Sequence, residues 1–241
     1  MVTPYKTTNV GKKEQVADMF NNIAGRYDFL NHLLSLGIDK LWRKKAIRLL
    51  APHKPKNLLD IATGTGDFAI AAAQMKPKIE KIIGVDISKG MVAVGQEKII
   101  KKHLNGQVEL TYGDSENLQF EDQSFDAITV AFGVRNFENL KMGLTEMHRV
   151  LGPNGRTAII EFSQPERFPM RQLYFMYFTH ILPRIGKWIS KDSRAYTYLP
   201  ESVREFPFGQ AFADILKECG FSKVKVIPLT MGIASIYLAE K

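Results

Sequence analysis

Cysteine is almost absent from the 241 residues: Cys219 stands alone, no internal disulfide can form, and no Cys/His spacing suggests a zinc site, so no metal is expected. A chain so poor in thiols suits a reducing cytosol, and a cytoplasmic location, extending at most to the inner face of the membrane, is the expectation. Long apolar runs are also missing. The most apolar stretch, residues 168–189, holds a charge-free run of only 12 residues, 172–183, whereas crossing a bilayer takes ~18 or more. Residues 1–13 carry basic side chains without an apolar segment of ~7–15 residues, so they do not read as a secretory signal. Repeats and low-complexity segments are lacking as well. What is left is one ordinary globular chain, 45% hydrophobic, of a size that buries a core unaided.

Acidic residues are in deficit, 25 against 33 Lys+Arg, for a formal charge of +8. The excess is uneven: residues 1–56 carry +7, residues 57–162 carry −3, residues 163–206 carry +3 and residues 207–241 carry +1. A basic total points to nucleic acid or to an anionic membrane surface. Here it flanks an acidic middle. Lys40, Arg43, Lys44 and Arg48 recur at helical spacing and form either one solvated face or a docking face for anionic lipid.

From residue 57 onward, apolar runs at 57–61, 81–86, 108–112, 125–131 and 156–162 alternate with amphipathic stretches at 67–75, 89–103 and 137–151. Such alternation predicts parallel strands joined by crossover helices. It ends after a helix at 210–219 closed by Gly220, where strands at 223–229 and 234–239 are separated by so short a connection that they must be antiparallel. This plan resembles the α/β, Rossmann-like class I S-adenosylmethionine-dependent methyltransferase fold: a mostly parallel sheet with a C-terminal antiparallel hairpin. Residues 1–53 read as a helical cap, with Val16, Phe20, Ile23 and Tyr27 at helical spacing, and residues 54–241 as the catalytic unit of one structural domain. Residues 164–206 interrupt that unit after the fifth strand and hold 9 of the 25 aromatic residues. Their apolar side chains are too many for one helix stripe. The insert is therefore either buried all round or partly turned toward a lipid ligand or the membrane interface, with Arg171, Arg184 and Lys187 at headgroup level.

Asp60-Ile-Ala-Thr-Gly-Thr-Gly-Asp67 follows the first strand and opens a helix. Gly64 and Gly66 permit a sharp turn that brings a ligand close to main-chain N–H groups. Asp86, about 20 residues on at the tip of the second strand, suits ribose hydroxyls, which a dinucleotide site also requires. Three acidic features favour S-adenosylmethionine over a dinucleotide. Asp60 is placed for a cationic amino-acid end, Asp67 puts negative charge where a pyrophosphate would lie, and Gly113-Asp-Ser115 ends the third strand where an adenine amino group is read.

The chain resembles the ubiquinone/menaquinone biosynthesis C-methyltransferase family over roughly residues 14–240. The resemblance rests on Tyr27-Asp-Phe-Leu-Asn31, Leu34-Ser-Leu-Gly37, Trp42-Arg43, Phe132-Gly-Val-Arg-Asn136, Arg149-Val-Leu-Gly-Pro-Asn-Gly-Arg156, Glu161-Phe-Ser163, His180-Ile-Leu-Pro-Arg-Ile-Gly186 and Tyr196-Thr-Tyr-Leu-Pro-Glu-Ser202. Asp39 departs from it, since many members carry His there. The resemblance implies methylation of a ring carbon of a polyprenylated hydroquinone, demethylmenaquinol in the first place and a 2-methoxy-6-polyprenyl-1,4-benzoquinol as the alternative. It also implies that Thr65, Asp86, Asp114 and Ser115 contact the donor, beside Asp60, Gly64 and Gly66.

Such chemistry needs a phenolate stabilised next to the methyl. Arg135 and Asn136, just after the fourth strand, are placed for this, Arg135 as electrostatic stabiliser and Asn136 as orienting group, with Tyr27 contributed by the cap. His180 reads as a packing residue rather than a base. A nucleic-acid amino-methyltransferase would carry an Asn/Asp-Pro-Pro-aromatic loop where Ala131-Phe-Gly-Val-Arg135 stands, and Cys219 is misplaced for cytosine C5 chemistry; no nucleic acid partner is expected. A small-molecule O- or N-methyltransferase shares the same core, and a non-catalytic binding module would leave a complete donor loop idle. The expected partners are the prenylated quinol and an anionic membrane, and a homodimer is compatible with the sequence.

Overall fold

A computed structural model describes residues 2–5, 10–181 and 194–241. Helices α1 (Lys12–Leu34) and α2 (Ile38–Leu50) precede β1 (Asn57–Ile61), α3 (Asp67–Ala72), β2 (Lys81–Asp86), α4 (Lys89–Lys101), β3 (Val108–Tyr112) and β4 (Phe125–Ala131). A 3-10 turn, Val134–Asn136, leads to α5 (Leu140–Val150) and β5 (Leu151–Phe162); α6 (Met170–Met176), α7 (Arg194–Glu205), α8 (Gln210–Glu218), β6 (Ser222–Leu229) and β7 (Ala234–Glu240) complete the chain.

The seven strands lie in the order β3-β2-β1-β4-β5-β7-β6. β7 runs antiparallel to both β5 and β6, and the other pairings are parallel. Central strands buried on both faces read as largely apolar runs, which is why the predicted strands 57–61, 81–86 and 125–131 match, whereas 108–112 matches as an edge strand whose burial alternates. Period-two alternation divides each strand between two cores. Leu58 faces Trp42, Leu50, Phe68 and Ile99 of α2, α3 and α4, whereas Leu59 and Ile61 face Leu144, Met147, Phe212 and Leu216 of α5 and α8. A third apolar cluster joins Val16, Met19, Ile23 and Leu30 of α1 to Met91 of α4 and Tyr198 of α7.

Several boundaries differ from expectation, α3 ending at Ala72 rather than 75 and α4 at Lys101 rather than 103, and two starts have a local cause. The helix foreseen at 137–151 begins at Leu140, because the Asn139 side chain accepts a hydrogen bond from the Met142 N–H (3.1 Å) as an N-cap. β5 begins at Leu151 rather than 156: Leu151 already pairs with Phe125, and the Gly152-Pro-Asn-Gly155 stretch is absorbed as an irregularity in the ladder. Among the described residues no helix is long and apolar enough to cross a membrane.

Candidate active site

The C-terminal ends of β1, β2, β3 and β4 converge where the strand order reverses, the usual ligand crevice of an open parallel sheet. The loop after β1 turns back through Ala62, Gly64 and Gly66, all at positive φ (+50°, +57°, +80°). At Gly66 a Cβ would lie 2.9 Å from Leu110 Cδ1, so glycine serves both conformation and space. The loop after β4 makes a similar turn at Phe132 (φ +59°), a bulky residue that adopts this region only at energetic cost.

Against these loops lies a cavity of about 70 Å³ lined by Gly64, Asp86, Asp114, Ser115, Phe132 and Asn136 on the sheet side and by Lys13, Phe20 and Tyr27 of α1 on the other. The Asp86 carboxylate accepts the N–H of Gly64 and of Ser88, both at 2.8 Å, and burial pushes its pKa upward. Asp114 accepts Lys13 Nζ (2.7 Å) and the Glu116 N–H (2.9 Å). A smaller cavity of about 30 Å³ adjoins at Tyr27, Ala62, Gly64 and Ala131 and is lined further by Arg43, Asp60, Thr65 and Asp67. Asp60, 1% exposed, accepts the hydroxyls of Thr63 (2.5 Å) and Thr129 (2.6 Å). Desolvation outweighs those bonds and lifts its pKa to about 6. Thr65 lies in this smaller cavity, and its hydroxyl donates to Asp28 of α1.

Beyond Phe20, Tyr27 and Phe132, which are shared walls, opens a predominantly apolar cavity of about 300 Å³. It draws on α1, α2, the turns after β4 and β6, and the insert, with Trp42, Phe162, Tyr174 and Phe178 among its lining. Arg135 reaches this cavity and Asn136 the donor-loop cavity, so the predicted pair straddles their junction, with Tyr27 common to both. Arg135 is held by Glu161 (Nη1 to Oε1, 2.9 Å) and by the Phe132 carbonyl, and its charge lies over the Phe162 ring. Its Nε and the hydroxyl of Tyr174 are both buried without a hydrogen-bond partner among the described residues. Asn136 accepts the Tyr198 hydroxyl (3.1 Å), whose pKa burial pushes up to about 12.

The insert is not buried all round. Tyr174, Tyr177 and Phe178 face the large cavity, while Phe168, Leu173, Phe175 and Met176 are exposed. His180 is exposed. Residues 182–193, with Arg184 and Lys187, lie outside the described residues. Arg43 leaves the basic face expected of α2: it is 8% exposed and bound to Asp39, whereas Lys40, Lys44 and Arg48 remain in solvent.

Sequence reasoning missed a polar network that ties the two N-terminal helices to the glycine loop. Lys98 of α4 bridges Asp28 of α1 and Asp67 of α3, each at 2.6 Å. His32 Nδ1 lies 3.0 Å from Asp39 and its Nε2 lies 3.4 Å from Asp67. Asp39 also accepts the Ser35 hydroxyl (2.6 Å). Lys12 donates to the carbonyls of Arg135 (3.0 Å) and Phe137 (2.7 Å), fastening the start of α1 to the loop after β4. One readable signal was the Asp39/Arg43 spacing of four, which pairs charges along a helix.

A model of the ubiE/COQ5 methyltransferase family matches residues 8–241. The chain belongs to that family. It is similar to a demethylmenaquinone methyltransferase of Bacteroides fragilis, 49% identical over 100% of this chain and 97% of that protein. A demethylmenaquinone methyltransferase of Porphyromonas gingivalis is 44% identical over 100% and 98%. The ubiquinone/menaquinone biosynthesis C-methyltransferase UbiE of Geobacter sulfurreducens is 42% identical over 100% and 93%. Among solved structures, a putative S-adenosyl-L-methionine-dependent methyltransferase of Methanococcus maripaludis superposes with a TM-score of 0.60 at 20% identity, covering 98% of this chain and 97% of that one. The phosphoethanolamine N-methyltransferase 2 of Haemonchus contortus, solved with S-adenosyl-L-methionine, gives 0.58 at 17%, covering 82% and 52%. These two likenesses establish the class I fold of this ubiE/COQ5 family member.

Proposed function

We propose that this ubiE/COQ5 family protein is an S-adenosylmethionine-dependent C-methyltransferase that converts demethylmenaquinol to menaquinol in respiratory quinone biosynthesis. The observation that carries the reading is the pair of cavities meeting at Tyr27, Phe20 and Phe132: one built on a glycine loop with Asp86, Asp114 and Ser115 in its lining, one larger and able to take a quinol ring with the first part of its prenyl chain. The benzoquinol substrate stands as a second reading because the Geobacter relative is named for both pathways.

The residues of the glycine-loop cavity and of its smaller neighbour at Asp60 fit the donor. Asp60 offers a carboxylate to an ammonium, Asp86 sits where two ribose hydroxyls bind, and Asp114 with Ser115 face the base end; Gly64, Thr65 and Gly66 shape the turn between them. Bound there, S-adenosylmethionine supplies a methyl group on a sulfonium, which transfers to the ring carbon while the ring hydrogen leaves as a proton. The protein's own task is to raise the electron density of that carbon by stabilising the neighbouring oxyanion. Arg135 does this from the apolar side, where low polarity strengthens its field, and its buried, unpartnered Nε–H is a donor for the quinol oxygen. Asn136, held by Tyr198, orients the ring edge from the donor side, and Tyr27 closes the junction. Residues 1–53 act as a cap over both ligands.

The prenyl chain makes the membrane the source of substrate. Leu36 and Leu173, both exposed, line the apolar cavity, and exposed Leu41 and Met231 flank Trp42 and Thr230, which are hydrogen bonded to one another in its wall. With Lys40, Lys44 and Arg171 exposed on the same helices, this rim suits peripheral docking on anionic lipid. Incubation with labelled S-adenosylmethionine and each demethylated quinol in turn tests the activity. Label is expected in the naphthoquinol product; label in neither quinol, with label in RNA, overturns the reading.

A further inference from the structure

Arg43, in the second turn of α2, is a charged side chain with little solvent and only part of its hydrogen bonding met. Its residue is 8% exposed, Nη1 donates to Asp39, and Nε is buried without a partner among the described residues. A buried guanidinium left with an unused donor is costly unless something else accepts from it. The geometry narrows what that is. Arg43 lines the small cavity whose other walls are Asp60, Thr63, Gly64, Thr65 and Asp67. Two carboxylates in one 30 Å³ space exclude a phosphate or any other bare anion. A ligand end that carries both an ammonium and a carboxylate, and is small enough for one cavity, satisfies Asp60 and Arg43 together.

We propose that Arg43 recognises the α-carboxylate of the donor's amino-acid end through its guanidinium, while Asp60 takes the ammonium, so that the zwitterion is read by a cap helix and a sheet strand jointly. Resting on the donor reading above, this assignment names a contact that no glycine-loop residue supplies. Asp39 is the positioning residue. It is fixed by the Ser35 hydroxyl at 2.6 Å and by His32 at 3.0 Å, and it holds one arm of the guanidinium at Nη1.

Calorimetric binding of three nucleosides by the full chain tests the assignment without reference to turnover: S-adenosylmethionine, its decarboxylated analogue, which keeps the amine, and 5′-methylthioadenosine, which lacks both groups. The Arg43→Gln variant is expected to bind S-adenosylmethionine about 30-fold more weakly, the size expected for one hydrogen bond between charged groups, with affinity for the decarboxylated analogue and for methylthioadenosine unchanged within about twofold. Arg43→Lys keeps the charge beside Asp39 and loses the Nε–H; if the Gln variant does not fold, the Lys variant decides by the same ratio of affinities. Equal weakening toward all three nucleosides, or a wild-type protein that binds the decarboxylated analogue as tightly as the parent, overturns the role of Arg43 while leaving the donor reading intact. A wild-type protein that binds none of the three overturns both.

Discussion

At Asp60 two hydroxyls and a nearby guanidinium fail to offset desolvation, so the folded-state pKa, about 6, stands above the ordinary 3.8. The folded protein holds this proton more tightly than the unfolded chain does, and the stability it contributes is full below about pH 4 and lost as the pH rises through 6. Donor binding runs the opposite way, because the ammonium needs the carboxylate. The dissociation constant for S-adenosylhomocysteine is expected to rise as pH falls below 6, approaching about tenfold per pH unit, and titration calorimetry of wild type against Asp60→Asn checks this, the variant binding weakly with no such slope. Arg135 makes a second test at this scale. Arg135→Lys keeps a cation beside the fully buried Glu161, avoiding the roughly 3–5 kcal/mol cost of an orphaned partner, but removes the Nε–H. A drop of about 10²-fold in kcat with donor affinity intact is expected, and an unchanged single-turnover rate would remove Arg135 from the chemistry.

Single side chains matter here because helices bring them in from far along the chain. Lys98, with a side chain 21% exposed, ties α1 to α3 by bridging Asp28 and Asp67. Replacing it by Met is expected to speed amide hydrogen exchange across Lys12–Leu34, leave exchange in β1 and β4 unchanged, and raise the donor off-rate about fivefold, a loss of about 1 kcal/mol for partly exposed pairs. Uniform exchange throughout the molecule would refute α1 as a separately docked element. This is also the scale at which the sequence was most and least legible. Strands β1, β2 and β4 announced themselves as short, largely apolar runs between turn residues, and β3 as an alternating run at the sheet edge. The ends of α5 and β5 did not, because an Asn139 cap and a ladder irregularity across Gly152 and Gly155 decide them. Helical spacing grouped Arg43 with Lys40, Lys44 and Arg48, and only its bond to Asp39 and the packing of Trp42 against Phe132 show that this side of α2 turns inward. Tyr174 was readable as one more aromatic of the insert. That its hydroxyl is buried and unpartnered follows from contacts that no local pattern encodes.

Across the whole molecule, the docking proposed above has the +8 charge and the exposed apolar rim act on the same object, an anionic membrane. Vesicles containing phosphatidylglycerol are expected to retain the protein in co-sedimentation at low salt and to release it progressively toward 0.5 M, since exposed charges are screened beyond a Debye length of roughly 4 Å there. Leu41→Glu with Met231→Glu should abolish retention and leave turnover of a short-chain quinol in detergent unchanged, because neither side chain lines a cavity. Retention that is indifferent to salt, lipid charge and these substitutions would assign the charge to solubility alone. The junction at Tyr27 has a further meaning. Helix α1, fastened by Lys12, Lys13 and Asp28, walls the glycine-loop cavity through Phe20 and Tyr27 and the apolar cavity through the same two side chains. If donor and quinol occupy the two cavities as proposed, the seating of one ligand is felt at the other through that single helix.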